Sequence, residues 1–375
     1  MKVGIITYHC ADNYGATLQA YALQRTISKL GYDPKIINFI PNYGSIGENE
    51  LSIYRRILRK ILYRLPKLMM IYKFPFNNQV VNRAKRRILF EDFRNNFLNL
   101  TNRKYKDLKE LYKDKHQYDV FIAGSDQVWN YEIAKNNLPA YCLDFVDGRI
   151  AKKIAYGVSL GPLEVANKYK FLLAPYLRDF YALSVREEDM VQLVKKISNK
   201  PVYHVLDPTL LLSPEEWDEI IINPSDVNYI CVYLPSRFRE VTDIVNSIIK
   251  QIDLPVVNIS VGGDKLRNEI KNCWYIGPRE FLGYIRNSSF VITNSFHGTV
   301  FSFLFRKEFY SILPYENDIR IKSFLRLFSL QERIVNSLNG VESIKVIDYE
   351  TIYPKLDFYR HLSLKFLQEA IESES

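Results

Sequence analysis

The chain has 375 residues, of which 47% are hydrophobic and 25% charged, and it carries a formal net charge of +9. This composition excludes a disordered or collagen-like chain, and the length favours two domains. No apolar run approaches the roughly 18 residues that span a bilayer. The N-terminal run Val3–Tyr8 has no small-residue cleavage site after it, so we expect a first strand there and not a signal peptide.

The first half alternates apolar runs with helical patterns. The strand over Val3–Tyr8 leads through a polar turn into a helical pattern from Leu18 to Leu30, and a strand over Lys35–Ile40 follows. Such a βαβ unit predicts a parallel sheet covered by helices. The other elements predicted in this half are helices over Lys85–Asn96 and Glu187–Ile197 and strands over Tyr118–Ala123, Lys153–Val158, Tyr181–Val185 and Val202–Leu206.

The same alternation of predicted strands and helices begins again after Asp207–Leu212. Predicted strands cover Asn228–Leu234, Pro255–Ser260, Trp274–Ile276 and Phe290–Ile292, and predicted helices cover Phe238–Ile252, Gly277–Arg286 and Asp348–Ser375. We therefore predict an α/β fold with two Rossmann-like domains facing a central cleft, residues 1–213 and 214–375. Folds of this kind bind ligands at the carboxyl ends of their strands.

The positive charge is concentrated in one segment. Residues 51–90 hold eleven basic side chains and no acidic one, which exceeds the net charge of the whole chain. Apolar residues recur there at helical spacing, as in a helix that lies on an anionic membrane surface. A helix packed on its domain with a solvated basic face, or one that binds an anionic polymer, explains the pattern as well. Nucleic acid is the weakest of these partners, because the aromatic residues lack the spacing of a base-stacking module.

Cysteine and histidine spacing argues against a metal site. The four cysteines and five histidines are scattered, with neither a CxxC nor an HExxH motif. Isolated thiols are typical of a reducing compartment, so we expect a cytoplasmic protein without a bound metal.

Two polar loops follow predicted strands of the first domain. Asp12–Gly15 lies at a helix N-terminus, where free N–H groups suit an anionic or polar ligand, although a helix cap by Asn13 explains it equally well. In Gly124–Gln127, Asp126 is able to orient a sugar hydroxyl or act as a base, or it caps the next helix.

Two further loops hold an arginine and a histidine. Arg186 ends a predicted buried strand, and its guanidinium suits a phosphate or carboxylate; a structural ion pair with Glu187 or Glu188 is the alternative. His297 stands at a strand-to-helix turn within Thr293–Val300, where an imidazole exchanges a proton near neutral pH.

Five motifs occur in an order that resembles the polysaccharide pyruvyl transferase family over roughly residues 1–330. They are Asp12–Gln19, Gly124–Asn130, Ser184–Glu187, Asp207–Leu211 and Asn294–Gly298. The resemblance implies a fold like that of the B-type glycosyltransferases. It also implies transfer of a pyruvyl group from phosphoenolpyruvate to sugar hydroxyls of a capsular, exopolysaccharide or cell-wall glycan, often while that glycan is lipid-linked. Phosphoenolpyruvate is then a co-substrate, and no separate cofactor is expected.

The resemblance also assigns roles to individual residues. His297 is expected to be the acid or base, with Asp126 assisting, and Arg186 is expected to hold the donor. The remaining predicted donor-binding residues are Asn294, Ser295, Gly298 and Thr299, and the predicted acceptor-binding residues are Asn13, Tyr14, Gly15, Ser125 and Gln127.

The chain departs from the family at Ser295, where related sequences often carry an arginine. Arg320, Lys322 and Arg279 are candidates to replace that charge. Two other functions fit the same fold: a nucleotide-sugar-dependent glycosyltransferase and a non-catalytic glycan- or membrane-binding protein. The basic segment fits an enzyme working peripherally at the inner face of the cell membrane.

Overall fold

A computed structural model describes residues 1–41, 78–235, 239–260, 266–313, 318–336 and 346–373. Most of the basic segment predicted to lie on a membrane, residues 51–77, is outside the described residues. The helices are α1 (Tyr14–Lys29), α2 (Asn78–Phe97), α3 (Leu108–Lys113), α4 (Tyr131–Ala134), α5 (Leu138–Tyr141), α6 (Leu163–Leu177), α7 (Glu188–Ser198), α8 (Pro214–Asp218), α9 (Arg239–Ile252), α10 (Pro278–Arg286), α11 (Phe296–Leu304), α12 (Ile319–Leu327) and α13 (Tyr349–Glu372).

Seven parallel strands form the first sheet. They are β1 (Lys2–Ile6), β2 (Asp33–Phe39), β3 (Leu100–Tyr105), β4 (Val120–Asp126), β5 (Lys152–Val158), β6 (Ala182–Val185) and β7 (Val202–His204). Their order across the sheet is β3-β2-β1-β4-β5-β6-β7. The chain adds strands on one side of β1 up to β3 and then on the other side from β4 to β7. The carboxyl ends of β1 and β4, where this order changes, are therefore the expected place for a ligand.

Five parallel strands form the second sheet. They are β8 (Ile230–Tyr233), β9 (Val256–Asn258), β10 (Glu269–Asn272), β11 (Phe290–Thr293) and β12 (Glu308–Ser311). Their order is β10-β9-β8-β11-β12, so the order in which the chain adds strands changes direction between β8 and β11. The loop after β11 carries His297 and therefore lies at the carboxyl edge of this sheet.

One predicted strand is wrong. Trp274–Ile276 was expected to pair in the second sheet, but the strand is β10, whose residues alternate between half-buried and exposed as at a sheet edge. The carbonyl groups of Trp274 and Ile276 instead accept hydrogen bonds from Arg86 and Tyr14. Ile276 is buried and Trp274 and Tyr275 are half-buried, and the two hydrogen bonds join this run to the first domain and not to a strand of the second sheet.

The two domains share an aromatic interface. The ring of Tyr14 on α1 stacks on Phe281 of α10 with centroids 4.3 Å apart, and Phe90 of α2 lies 5.2 Å away. Helix α13 begins on the second domain and ends on the first, where Ser363 Oγ accepts a bond from the N–H of Leu206. These contacts hold the carboxyl edges of the two sheets opposite one another.

Candidate active site

Arg186 lies at the centre of a buried ionic cluster at the end of β6. Its Nε donates to Glu187 Oε1 at 2.9 Å, its Nη1 to Asp207 Oδ2 at 2.8 Å and its Nη2 to Asp126 Oδ1 at 3.3 Å. The guanidinium also lies 4.4 Å from the ring centre of Phe296, at the start of α11. Arg186 therefore forms the expected ion pair with Glu187, and it also connects three loops that follow different strands.

The cluster shifts the pKa values of its members in different directions. Burial disfavours the charged form of Arg186, but the three carboxylates outweigh it and hold the pKa above its usual range. Burial also opposes ionisation of Asp207, yet the charges of His297 and Arg186 keep the pKa of Asp207 well below its usual value. Burial raises the pKa of Glu187 despite its bond to Arg186.

His297 faces the cluster from the second domain. Its Nε2 lies 3.6 Å from Asp207 Oδ2, which is close for two charges but longer than a hydrogen bond. The residue is only 7% exposed, and Nε2 has no hydrogen-bond partner among the described residues. A buried polar atom without a partner is costly and calls for an explanation, which makes Nε2 a candidate functional atom.

Gly15 packs directly against the imidazole. A Cβ atom at this position would lie 2.0 Å from His297 Nδ1, a distance that no side chain can occupy without displacing the ring. The glycine is therefore required for the close approach of α1 in the first domain to α11 in the second.

Two helix N-termini meet at this contact. Asn13 caps α1 by accepting a bond from the N–H of Ala16, and Ser295 caps α11 by accepting one from Gly298. The first N–H groups of these helices, those of Tyr14, Gly15, Phe296 and His297, have no acceptor among the described residues. Together they create a positive potential that suits an anion.

The other predicted site residues differ in exposure. Asn13 is exposed, and Gln127 is half-buried with its Oε1 accepting from Asn130 Nδ2. Several hydroxyl groups are buried and bonded within the protein: Tyr14 to Ile276 O, Ser125 to Gly157 O and Thr299 to Ser295 O. Asn294 is buried, and Gly298 packs on the side chain of Thr293.

The three candidate replacements for the missing arginine differ in location. Arg279 bonds to Ile220 O and lies 5.2 Å from the ring of Phe97, on the flank of α2. Lys322 and Arg320 are both on α12, at the carboxyl edge of the second sheet. Arg320 is bound to Asp318, and its helix contacts the residue after Glu187, since Ser323 Oγ accepts a hydrogen bond from the N–H of Glu188 at 3.1 Å.

Sequence reasoning missed Asp207 and Glu187 as members of the site. Asp207 lies in one of the five motifs that carry the family resemblance, and the motif alone indicates no role for it. Its position directly after β7, at the same sheet edge as Asp126 and Arg186, was a usable signal. Glu187 was considered only as a structural partner.

Comparison with known proteins decides the family. The family model described as polysaccharide pyruvyl transferase matches residues 13–317, which is most of the chain. The chain belongs to the polysaccharide pyruvyl transferase family. No curated protein sequence matches it. The family assignment supports a transferase.

Several solved structures are similar to the chain at low sequence identity. A putative UDP-N-acetylglucosamine 2-epimerase from Listeria monocytogenes is 10% identical, with a TM-score of 0.50 and coverage of 100% of this chain and 97% of that one. A UDP-GlcNAc 2-epimerase from Neisseria meningitidis is 11% identical with a TM-score of 0.47, covering 99% and 98%. A UDP-glucosyltransferase from Polygonum tinctorium is 10% identical with a TM-score of 0.44, covering 100% and 99%.

The expected fold is confirmed. This member of the polysaccharide pyruvyl transferase family has two Rossmann-like domains with parallel sheets, arranged like those of the B-type glycosyltransferases. Within the described ranges, no helix combines the length and the apolar content that crossing a membrane requires.

Proposed function

We propose that the protein transfers a pyruvyl group from phosphoenolpyruvate to two hydroxyl groups of a sugar in a glycan, forming a pyruvate ketal and releasing phosphate. The observation that carries this proposal is the buried His297, which lies beside Asp207 where the N-termini of α1 and α11 meet. This arrangement offers a proton donor and an anion-binding surface at one point, and the reaction needs both.

The chemistry begins with protonation of the donor. His297 gives a proton to the methylene carbon of phosphoenolpyruvate, and positive charge develops at the adjacent carbon, which bears the phosphate. A sugar hydroxyl adds to that carbon and loses its proton to Asp126. The carbon–oxygen bond to phosphate then breaks, and the departing phosphate takes the proton from Asp126. A second hydroxyl adds to the same carbon and gives its proton to the neutral His297, which closes the ketal and restores the acid. General acid–base catalysis of this kind contributes about 10²- to 10⁴-fold to the rate.

The donor's anionic groups bind to the free N–H groups of the two helices and to Arg320. Fixed hydrogen-bond donors of this kind stabilise the phosphate as it departs, because the protein groups do not have to reorganise. Each guanidinium nitrogen of Arg186 already donates to a carboxylate, so direct binding of phosphoenolpyruvate by Arg186 would break one of these bonds. We therefore assign Arg186 to holding Asp126 and Asp207 in place.

The acceptor sugar binds along the first domain. Gln127 follows Asp126 and is half-buried, and Asn13 is exposed at the N-terminus of α1, so both side chains are able to contact sugar hydroxyls. The hydroxyl groups of Tyr14 and Ser125 are buried and bonded to backbone carbonyls, so we assign these two residues to shaping the site. A lipid-linked acceptor and attachment to a membrane through residues 51–90 stay predictions from the sequence.

The first test replaces His297. We expect His297→Ala to lower acceptor-dependent phosphate release from phosphoenolpyruvate by at least about 10²-fold, since the proton donor is lost. Phosphate is measured with a panel of free and lipid-linked oligosaccharides as acceptors. His361→Ala on the exposed face of α13 is the matched control and should leave turnover unchanged.

Two outcomes would contradict the proposal. Turnover of His297→Ala at the wild-type rate would remove His297 from the proton transfer. Hydrolysis or transfer of a UDP-sugar by the wild-type protein, without turnover of phosphoenolpyruvate, would assign the cleft to a glycosyltransferase.

A further inference from the structure

Asp207 is held in place through both of its carboxylate oxygens. Oδ1 accepts bonds from the backbone N–H of Thr209 at 3.0 Å and from its hydroxyl at 2.7 Å. Oδ2 accepts the bond from Arg186 Nη1 at 2.8 Å, and it is this oxygen that faces His297 Nε2. The side chain is 1% exposed, so it neither rotates freely nor meets solvent.

The two nitrogens of His297 have different surroundings. Nε2 is fully buried and directed at Asp207, whereas Nδ1 lies against Gly15 at the N-terminus of α1. Among the residues that the structure describes, Asp207 is the charged group beside the ring, Arg186 is bound to Asp207, and Asp126 is bound to Arg186. Of these, only the Asp207 carboxylate faces the imidazole directly.

We propose that Asp207 is a positioning residue that keeps the proton of His297 on Nε2, so that Nδ1 is the nitrogen that gives the proton to the substrate. This inference rests on the proposed function, because only a proton-transferring His297 needs a defined tautomer. A carboxylate accepts a hydrogen bond but cannot donate one, so it selects the imidazole form with hydrogen on the facing nitrogen.

Protons balance in this assignment. The imidazolium carries hydrogen on both nitrogens and gives the one on Nδ1 to the methylene carbon. The neutral ring that remains keeps its Nε2 hydrogen directed at Asp207, and Nδ1 takes up a proton again during the cycle. The present 3.6 Å separation closes to a hydrogen bond when donor binding moves the ring, as is common for catalytic contacts in unliganded enzymes.

The tautomer itself is the most direct readout. In protein labelled with ¹⁵N at histidine, the neutral His297 of the wild type should show a protonated Nε2 and an unprotonated Nδ1, assigned by comparison with His297→Ala. In Asp207→Asn, the amide is able to donate to Nε2, so the hydrogen should move to Nδ1. A wild-type ring protonated on Nδ1, or an unchanged tautomer in a folded Asp207→Asn, would overturn the inference.

Kinetics give a second, independent readout. We expect Asp207→Asn to lower kcat by about 10²-fold or more while KM for phosphoenolpyruvate changes little, because the wrong tautomer is present. Asp357→Asn, a carboxylate paired with Arg360 on α13, is the control and should keep the wild-type kcat. Equal loss of kcat and of phosphoenolpyruvate affinity would indicate a collapsed site and contradict a positioning role.

The ¹⁵N spectrum tests the positioning role of Asp207, and turnover of phosphoenolpyruvate tests the proposed function. If the wild type does not turn over phosphoenolpyruvate, the proposed function fails, and the tautomer measurement still decides whether Asp207 orients His297. If Asp207→Asn does not fold, the wild-type spectrum alone decides, and Thr209→Val, which frees only Oδ1, replaces it in the kinetic comparison with a smaller expected loss.

Discussion

At the scale of single residues, one arginine, three carboxylates and one histidine from five separate positions define the cleft. Motif order predicted Arg186, Asp126 and His297, because each follows a strand of a parallel sheet. It did not predict which group Arg186 would bind, since that depends on the distance between loops that are far apart in sequence. Asp207 could have been assigned from its place after β7, whereas the partner of each guanidinium nitrogen required coordinates.

Gly15 gives a prediction of steric origin. Ala at a helical position normally stabilises by about 1 kcal/mol relative to Gly, but here the new Cβ would lie 2.0 Å from His297 Nδ1. We expect Gly15→Ala to lower phosphate release by at least about 10-fold by displacing the imidazole. Steady-state kinetics measure the effect, with Gly148→Ala at an exposed glycine as the control.

The result separates two roles for Gly15. Full activity in Gly15→Ala would show that the ring and α1 do not approach as closely as described. A rise in the KM for the acceptor alone would support the acceptor-binding role predicted from sequence and contradict the packing role.

A second residue-scale prediction concerns His9, which follows β1. Burial lowers its pKa from 6.5 to about 4, and the ring lies within hydrogen-bond distance of Asn38 and Thr7 O. Between pH 6.5 and 4 the unfolded chain binds a proton at this position and the folded protein does not, so stability falls as pH falls through this window. The loss attributable to His9 is of the order of 3 kcal/mol.

Urea unfolding at a series of pH values tests this prediction. His9→Gln should flatten the decline in the free energy of unfolding between pH 6.5 and 4, because the titrating group is gone. His361→Gln, at an exposed histidine, should keep the wild-type slope. Equal slopes in wild type and His9→Gln would show that His9 is not buried in its neutral form.

At the scale of elements, the capped N-termini of α1 and α11 are the places where the proposed function puts the anionic groups of phosphoenolpyruvate. Both caps were readable from sequence, because Asn13 and Ser295 each precede a helical pattern. The prediction of a strand over Trp274–Ile276 failed because an apolar run does not indicate whether a sheet or a neighbouring domain covers it. β10 escaped prediction because an edge strand with alternating polar residues carries little apolar signal.

At the scale of the whole molecule, α2 and α13 hold the carboxyl edges of the two sheets opposite one another. Arg86 of α2 donates to the carbonyls of Asp12 and Trp274, one on each side of the interface. The order of the elements predicted two α/β domains and a cleft, but it contained no information on the aromatic contacts that fix the angle between them. Those contacts depend on residues far apart in sequence, such as Tyr14 and Phe281.

Tyr14 tests the structural role of this interface. Its hydroxyl donates to Ile276 O at 3.0 Å and accepts from Arg86 Nη1 at 2.8 Å, and its side chain is fully buried. We expect Tyr14→Phe to lower the free energy of unfolding by about 1–3 kcal/mol, because a buried carbonyl loses its donor. Tyr181→Phe, at an exposed tyrosine, should leave the urea midpoint unchanged.

The same variant distinguishes packing from acceptor binding. A higher KM for the acceptor in Tyr14→Phe, with wild-type stability, would support the acceptor-binding role predicted from sequence. Reduced stability with a wild-type acceptor KM would support the interface role.

The most direct test of pyruvyl transfer follows the carbon that becomes the ketal. Phosphoenolpyruvate labelled with ¹³C at the carbon that bears the phosphate is incubated with the wild-type protein and the panel of free and lipid-linked oligosaccharides, and the glycans are analysed by NMR. We predict a labelled ketal carbon in one of the glycans, formed together with an equal amount of phosphate and absent with His297→Ala. Label confined to phosphoenolpyruvate, while a UDP-sugar is consumed and its sugar joins the glycan, would contradict the assignment.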